Sequence, residues 1–218
     1  MFKLYQNGEK NFPVYIKIET GGVLETLEVN ADFRNILRIL AMLKDNKIPW
    51  GRRIDKLIQW FFIDPPWEIG AAYKQKEMLV QVFADFVNPE SKGAAHDSYE
   101  PCEPCEQRFC YDFDAEEIYA GFMSEYGVDL AEIGFLHWYK FKIMLANLSG
   151  GSAFKKKIEL RFMDLSGFRD KTLAVLTAAK EAVQIPIPEI YGDTSGINGR
   201  GERGEREEFE GVWEKVGV

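Results

Sequence analysis

Thirteen consecutive residues, "LHWYKFKIMLANL" at 136 to 148, constrain the fold most. Trp138, Phe141, Leu145 and Leu148 recur at helical spacing, and Tyr139, Ile143 and Ala146 lie beside them. A helix that is apolar over most of its circumference needs neighbours on several sides, so it is expected at the centre of a helical domain. His137 falls in this segment and reads as a core or helix-rim residue, because no second imidazole or obvious pocket accompanies it.

The neighbouring segments supply the partners. Asp114 stands where an N-cap would, and Glu116 and Glu117 suit the positive end of a helix over "FDAEEIYAGFMSEYG". Ala115, Ile118, Tyr119, Phe122 and Tyr126 are expected on its inner face, and Gly127 as its C-cap. Ser152 caps a further helix with Phe154, Ile158, Phe162 and Leu165 inward. A last helix covers about 169 to 183 and ends before "QIPIPEIYG".

The first 88 residues read differently. In "PVYIKIETGGVLETLEV", Val14, Ile16 and Ile18 alternate with Tyr15, Lys17 and Glu19, the period of a strand. Gly21 and Gly22 supply a tight turn, and the second strand runs from about Leu24 to Val29. Asn30 or Asp32 caps a helix whose stripe is Phe33, Ile36, Leu37 and Leu40. Pro49 opens another, with Ile54, Leu57, Ile58 and Phe61 inward, which "DPPW" at 64 to 67 ends. A longer helix, 69 to 87, places Leu79, Val82, Phe83 and Phe86 on one side. The expected fold is therefore mainly α: an N-terminal β-hairpin plus helices, then a C-terminal helical bundle. The expected organisation is 1–88 as hairpin and three helices, 89–110 as acidic linker, 111–188 as helical domain and 189–218 as flexible tail.

Charge narrows the function classes. The 218 residues carry a net charge of -8, with pI about 5.0. Between Asp97 and Glu117 there are eight acidic residues against one basic, Arg108. Nucleic acid is not an expected partner, since a duplex binder offers a basic face to phosphates. "FKKKIELRF" at 154 to 162 holds Lys155, Lys156, Lys157 and Arg161, which read as one solvated helix flank. No apolar run approaches the ~18 residues of a membrane span. The N-terminus shows no apolar signal region, so an intracellular protein with free thiols is expected. In the tail, Phe209, Val212, Trp213 and Val216 fall at amphipathic spacing for a short docking helix.

All three cysteines lie in "CEPCEQRFC", 102 to 110, with His96 upstream. Cys102, Cys105, Cys110 and His96 number the four ligands that tetrahedral zinc wants. Only one pair is tightly spaced, however, and structural sites usually bring two. Glu100, Glu103 and Glu106 disfavour the thiolate that redox catalysis needs. Exposed thiols in an acidic linker are the simpler reading, with Cys110 the most buried. "GRGERG" at 199 to 204 matches a dinucleotide fingerprint without the strand and helix it requires. "NLS" at 147 to 149 is a glycosylation sequon in a chain not expected to be secreted. No catalytic, cofactor or metal residue is assigned, and an enzyme is not expected.

One segment carries a resemblance. "YDFDAEEIYAGFMSEYGVDL", "LHWYKFKIMLANL" and "FKKKIELR", within 111 to 168, resemble the bacteriophage gene-fifteen-product family of siphophages and prophages of Gram-positive hosts. The family pattern usually has Trp where this chain has Tyr139. The resemblance implies a tail assembly chaperone in the host cytoplasm, with the tape measure protein as its partner. It leaves the major tail protein and self-association open as further partners. A structural tail component of the virion and a small zinc-binding regulatory module are the alternatives. Acidic charge suits a soluble carrier. Met42, Met78, Met123, Met144 and Met163 suit adaptable packing. Tyr119, Phe122, Trp138, Tyr139 and Phe141 are expected in the core rather than at an interface.

Overall fold

The computed structural model describes residues 14–20, 23–45, 47–63, 73–89 and 108–186. Among these the chain is mainly α-helical, with one small antiparallel sheet. The described residues form two compact units. One comprises those within 1–99 together with 135–138, and the other those within 100–134 and 139–189.

In the first unit, β1 (Val14–Thr20) pairs antiparallel with β2 (Val23–Val29) in the register Val14 to Val29 and Thr20 to Val23. The expected turn residues Gly21 and Gly22 lie outside the described residues. A third strand, β3 (Phe62–Ile63), pairs with β2 through Phe62 and Val29. The sequence reading has no such strand, because two residues are too few to show a period.

Asp32 caps α1 (Phe33–Lys44) by accepting the Arg34 backbone N–H. Pro49 precedes α2 (Trp50–Phe61), and α3 covers Tyr73–Val87. These helices pack α1 on α2 and α2 on α3. Ile36, Leu57, Phe61 and Phe83 meet in the core without measurable exposure. Phe61 lies edge-on to Phe83, with ring centroids 5.0 Å apart. The α1–α2 connection closes on Arg53, whose guanidinium donates to the Leu43 and Ile48 carbonyls at 3.0 and 2.7 Å. A C-terminal carbonyl of α1 thereby gains a charged donor.

Residues 135–138 complete this unit. The Phe33 N–H donates to the Leu136 carbonyl and the Trp138 N–H to the Ala31 carbonyl, both at 2.9 Å. Asp32 and His137 form an isolated bridge. Trp138 is buried, and its indole N–H donates to the Val87 carbonyl. His137 is thus bridge backbone, not part of a helix as the hydropathy of 136 to 148 suggests. Its half-buried ring lies 6.0 Å from that of Phe86, and burial depresses its basicity.

The second unit holds α4 (Ala115–Tyr126), most of α5 (Trp138–Ala146), α6 (Ala153–Phe162) and α7 (Asp170–Ala182). Gly127, at φ 61°, ends α4 in the left-handed conformation that a C-cap glycine allows. Ser152 caps α6 by accepting the Lys155 N–H. Phe122 of α4 stacks on Phe141 of α5 at 5.3 Å. Three inward expectations are corrected. Ala115, Tyr119 and Tyr126 are exposed, because α4 buries only the face of Ile118, Gly121 and Phe122. Phe162 is exposed while Arg161 is buried. Ile143 is 48% exposed, so α5 is covered on the side of Phe141 and Leu145 and open on another.

Candidate functional site

Two polar clusters and one apolar strip stand out among the described residues. The first cluster centres on Asp114. This residue does not cap α4 with its side chain; at φ -104° and ψ 15° it is outside the extended conformation of a capping residue. Its fully buried carboxylate instead accepts from Arg161 Nη2 at 2.9 Å and Nη1 at 3.2 Å, and from the Cys110 N–H. Lys157 Nζ lies 3.1 Å from Asp114 and 2.9 Å from Glu117. Arg161 also donates to the Arg108 and Val183 carbonyls at 2.7 and 2.8 Å.

Burial alone would raise the Asp114 carboxyl. The hydrogen bonds from Arg161, Cys110 and Lys157, with the Arg161 charge, outweigh it and hold the group below the ordinary range. Lys157 is drawn the other way, since its carboxylate partners outweigh its own burial and keep it protonated. Asp114, Lys157 and Arg161 all have internal partners, so the cluster ties together the start of α4, the end of α6 and the segment after α7; Glu117 meets Lys157 through Oε1, and its buried Oε2 has no hydrogen-bond partner. That role is architectural. Lys157 and Arg161 are therefore not the solvated flank that their sequence neighbourhood suggests.

The second cluster belongs to the first unit. Asp32 accepts from Arg34 Nε at 2.9 Å and from the Leu136 N–H at 3.2 Å. Burial would raise its carboxyl, but these hydrogen bonds hold it low. The carboxylate thus fixes residues 135–138 against the start of α1.

The third feature is a strip on α4. Tyr119, Met123 and Tyr126, at i, i+4 and i+7, are 38%, 40% and 36% exposed. They share one helix face, the geometry of an anchor row. Tyr126 is oriented by its hydroxyl, which donates to the Met144 carbonyl at 2.9 Å. Asp129 lies beside the Tyr119 hydroxyl, with Glu132 near. Partial desolvation first, and then these two carboxylates, push the phenol up. Asp129 itself caps a turn by accepting the Ala131 and Glu132 N–H groups.

The family segment therefore divides. Phe122, Trp138 and Phe141 are core, as expected, and Tyr139 is half-buried. Tyr119 is at the surface instead, and Met123 is the exposed methionine next to it; Met42 is buried. The buried Arg161 had a signal in the sequence: Phe154, Ile158, Arg161 and Leu165 fall at i, i+4, i+7 and i+11, which puts the arginine on the inward stripe. Cys110 is half-buried with a free thiol. Cys102, Cys105, His96 and the segments "GRGERG" and "FEGVWEKV" lie outside the described residues. Among the described residues no group of three or more potential ligands could hold a metal ion. No described helix is long and apolar enough to cross a membrane.

No curated protein and no solved structure matches the chain. The family model described as Bacteriophage Gp15 protein matches residues 15–185, and the chain belongs to that family of phage proteins.

Proposed function

We propose that this phage protein is a non-catalytic tail assembly chaperone. It binds the tape measure protein and keeps it soluble in the host cytoplasm while the tail tube forms. The observation that carries the reading is the family membership over residues 15–185, joined to the role that the resemblance of 111 to 168 implies. The chemistry of the described residues is compatible with it. Asp114, Arg161, Lys157 and Asp32 are committed to internal ion pairs and backbone hydrogen bonds. A net charge of -8 favours solubility of a loaded complex.

Co-expression tests the reading. The tape measure protein of the same phage genome is expressed with and without the full chain, and its soluble fraction is measured. An increase of several-fold is expected. Equal solubility in both cases overturns the reading, and so does stoichiometric recovery of the chain in purified mature particles, which makes it a structural tail component.

A further inference from the structure

The segment of chain that carries the strip has charges of one sign. From Tyr111 to Gly134 the chain contains seven carboxylates, at 112, 114, 116, 117, 125, 129 and 132, and no lysine or arginine. Asp114 and Glu117 are neutralised internally by Arg161 and Lys157. The other five remain in this segment. Glu116 is exposed one turn before Tyr119. Asp129 and Glu132 lie near the Tyr119 hydroxyl at the start of the strip. Glu125, one turn after Gly121, belongs to the other side of α4, where it accepts the Ser149 N–H and hydroxyl at 2.9 and 2.7 Å.

Three large side chains exposed at i, i+4 and i+7 span roughly 10 Å of helix axis. Ile118, Gly121 and Phe122 are the buried residues of α4, and the row lies beside them, with the Tyr126 ring edge-on to Phe122. Tyr and Met suit such a surface: Tyr offers a rigid ring with a polar tip, and Met adapts to differing partners. An apolar row bordered by carboxylates is complementary to an apolar row bordered by cations.

We infer that the Tyr119–Met123–Tyr126 face of α4 is the client-binding surface, and that its occupant is an amphipathic helix of a partner protein with lysines or arginines flanking its apolar face. This rests on the chaperone reading, and names the surface and client chemistry it would use. The apolar row gives affinity, and the carboxylates Glu116, Asp129 and Glu132 select basic flanks over acidic ones. α7 offers a second exposed apolar position, Val175, but the helix carries no comparable run of acids: Asp170 and Glu181 are offset by Lys171 and Lys180.

The test uses the full chain with the photo-crosslinking amino acid p-benzoylphenylalanine at position 123 or, as comparison, at position 175. Each is co-expressed with the tape measure protein of the same phage genome, and cross-linked peptides are sequenced by mass spectrometry. The expected result is cross-linking from 123, at least tenfold above 175, to helical segments that pair an apolar face with basic flanks. A Met123→Glu variant is expected to keep its melting temperature and lose at least tenfold in tape measure binding.

Cross-linking from 175 with none from 123, while the tape measure protein is still solubilised, overturns this surface and leaves the chaperone reading standing. Cross-links from 123 to a second copy of this chain, or to acidic segments, overturn the occupant. Failure of the wild-type chain to bind or solubilise the tape measure protein overturns the reading and this inference together.

Discussion

Asp114 shows how much one side chain can organise when it is charged, buried and fully partnered. A carboxylate with no exposure is tolerable only because Arg161, Lys157 and the Cys110 N–H saturate it. Arg161→Met strands that charge with Lys157 as its remaining cation. The expected loss is about 3 kcal/mol of unfolding free energy, read as a lower urea midpoint. Adding Asp114→Asn removes the stranded charge, so the double variant is expected to recover part of the loss. The pH dependence has a definite sign. The folded-state carboxyl lies below its unfolded value, so its contribution is complete above the unfolded value. It is lost as pH falls through the folded one. Wild-type stability should therefore drop steeply below about pH 4, and more steeply than that of Asp114→Asn. Both partners are visible in the sequence, but their pairing is not. Asp114 stands directly before "AEE", where a cap is the local expectation, and Arg161 sits among three lysines. Forty-seven positions separate the pair, and only the fold brings them together.

The elements were legible where a long period existed and obscure where a contact decided. β1, β2, α1, α2, α4, α6 and α7 follow from alternation, capping residues and helical stripes. β3 does not, because Phe62 and Ile63 become a strand only by meeting β2. The approach of α4 to the end of α5 is a second case. Gly121 reads as a mild weakness in a helix. In the fold, a Cβ at this position would meet Leu148 Cδ1 at 2.9 Å and Cδ2 at 3.2 Å. The glycine thus lets Leu148 cover α4 beside Phe122. Gly121→Val is expected to destabilise the protein by about 1–3 kcal/mol through overpacking. Leu148→Ala opens space at the same point, so the two changes should couple: the double variant loses less than the sum of the singles by at least ~0.5 kcal/mol. Chemical denaturation of the four proteins measures it, and strict additivity would show that Leu148 moves aside freely. The exposure of Tyr119, Met123 and Tyr126 was hidden for a related reason. A helix with aromatic residues on two faces does not announce which face the neighbours cover, and α4 is covered on the side of Gly121.

At the scale of the whole chain, residues 135–138 fall inside the expected helical domain 111–188 but belong with the first compact unit. The run of apolar residues from 136 to 148 conceals this, because hydropathy cannot show that Leu136 and Trp138 serve one core while Phe141, Leu145 and Leu148 serve another. The first unit then depends on chain that is distant in sequence. Leu136 and Trp138 are both buried, the Leu136 N–H and carbonyl bond to Asp32 and Phe33, and Trp138 bonds to Ala31 and Val87. Removing a large buried side chain costs about 3–5 kcal/mol, which is comparable to a large part of the total stability of a small domain. A fragment of residues 1–99 is therefore expected to be largely unfolded, or to unfold at a clearly lower urea concentration than the first unit in the full chain. Trp138→Ala in the full chain should reproduce much of that loss. Its effect should appear in amide exchange of α1 and α3, which carry Phe33 and Val87, before it appears in α6. If the 1–99 fragment unfolds at the same urea concentration as the first unit of the intact protein, residues 135–138 add nothing to that unit. The bonds from Asp32, Phe33 and Ala31 would then be contacts without consequence.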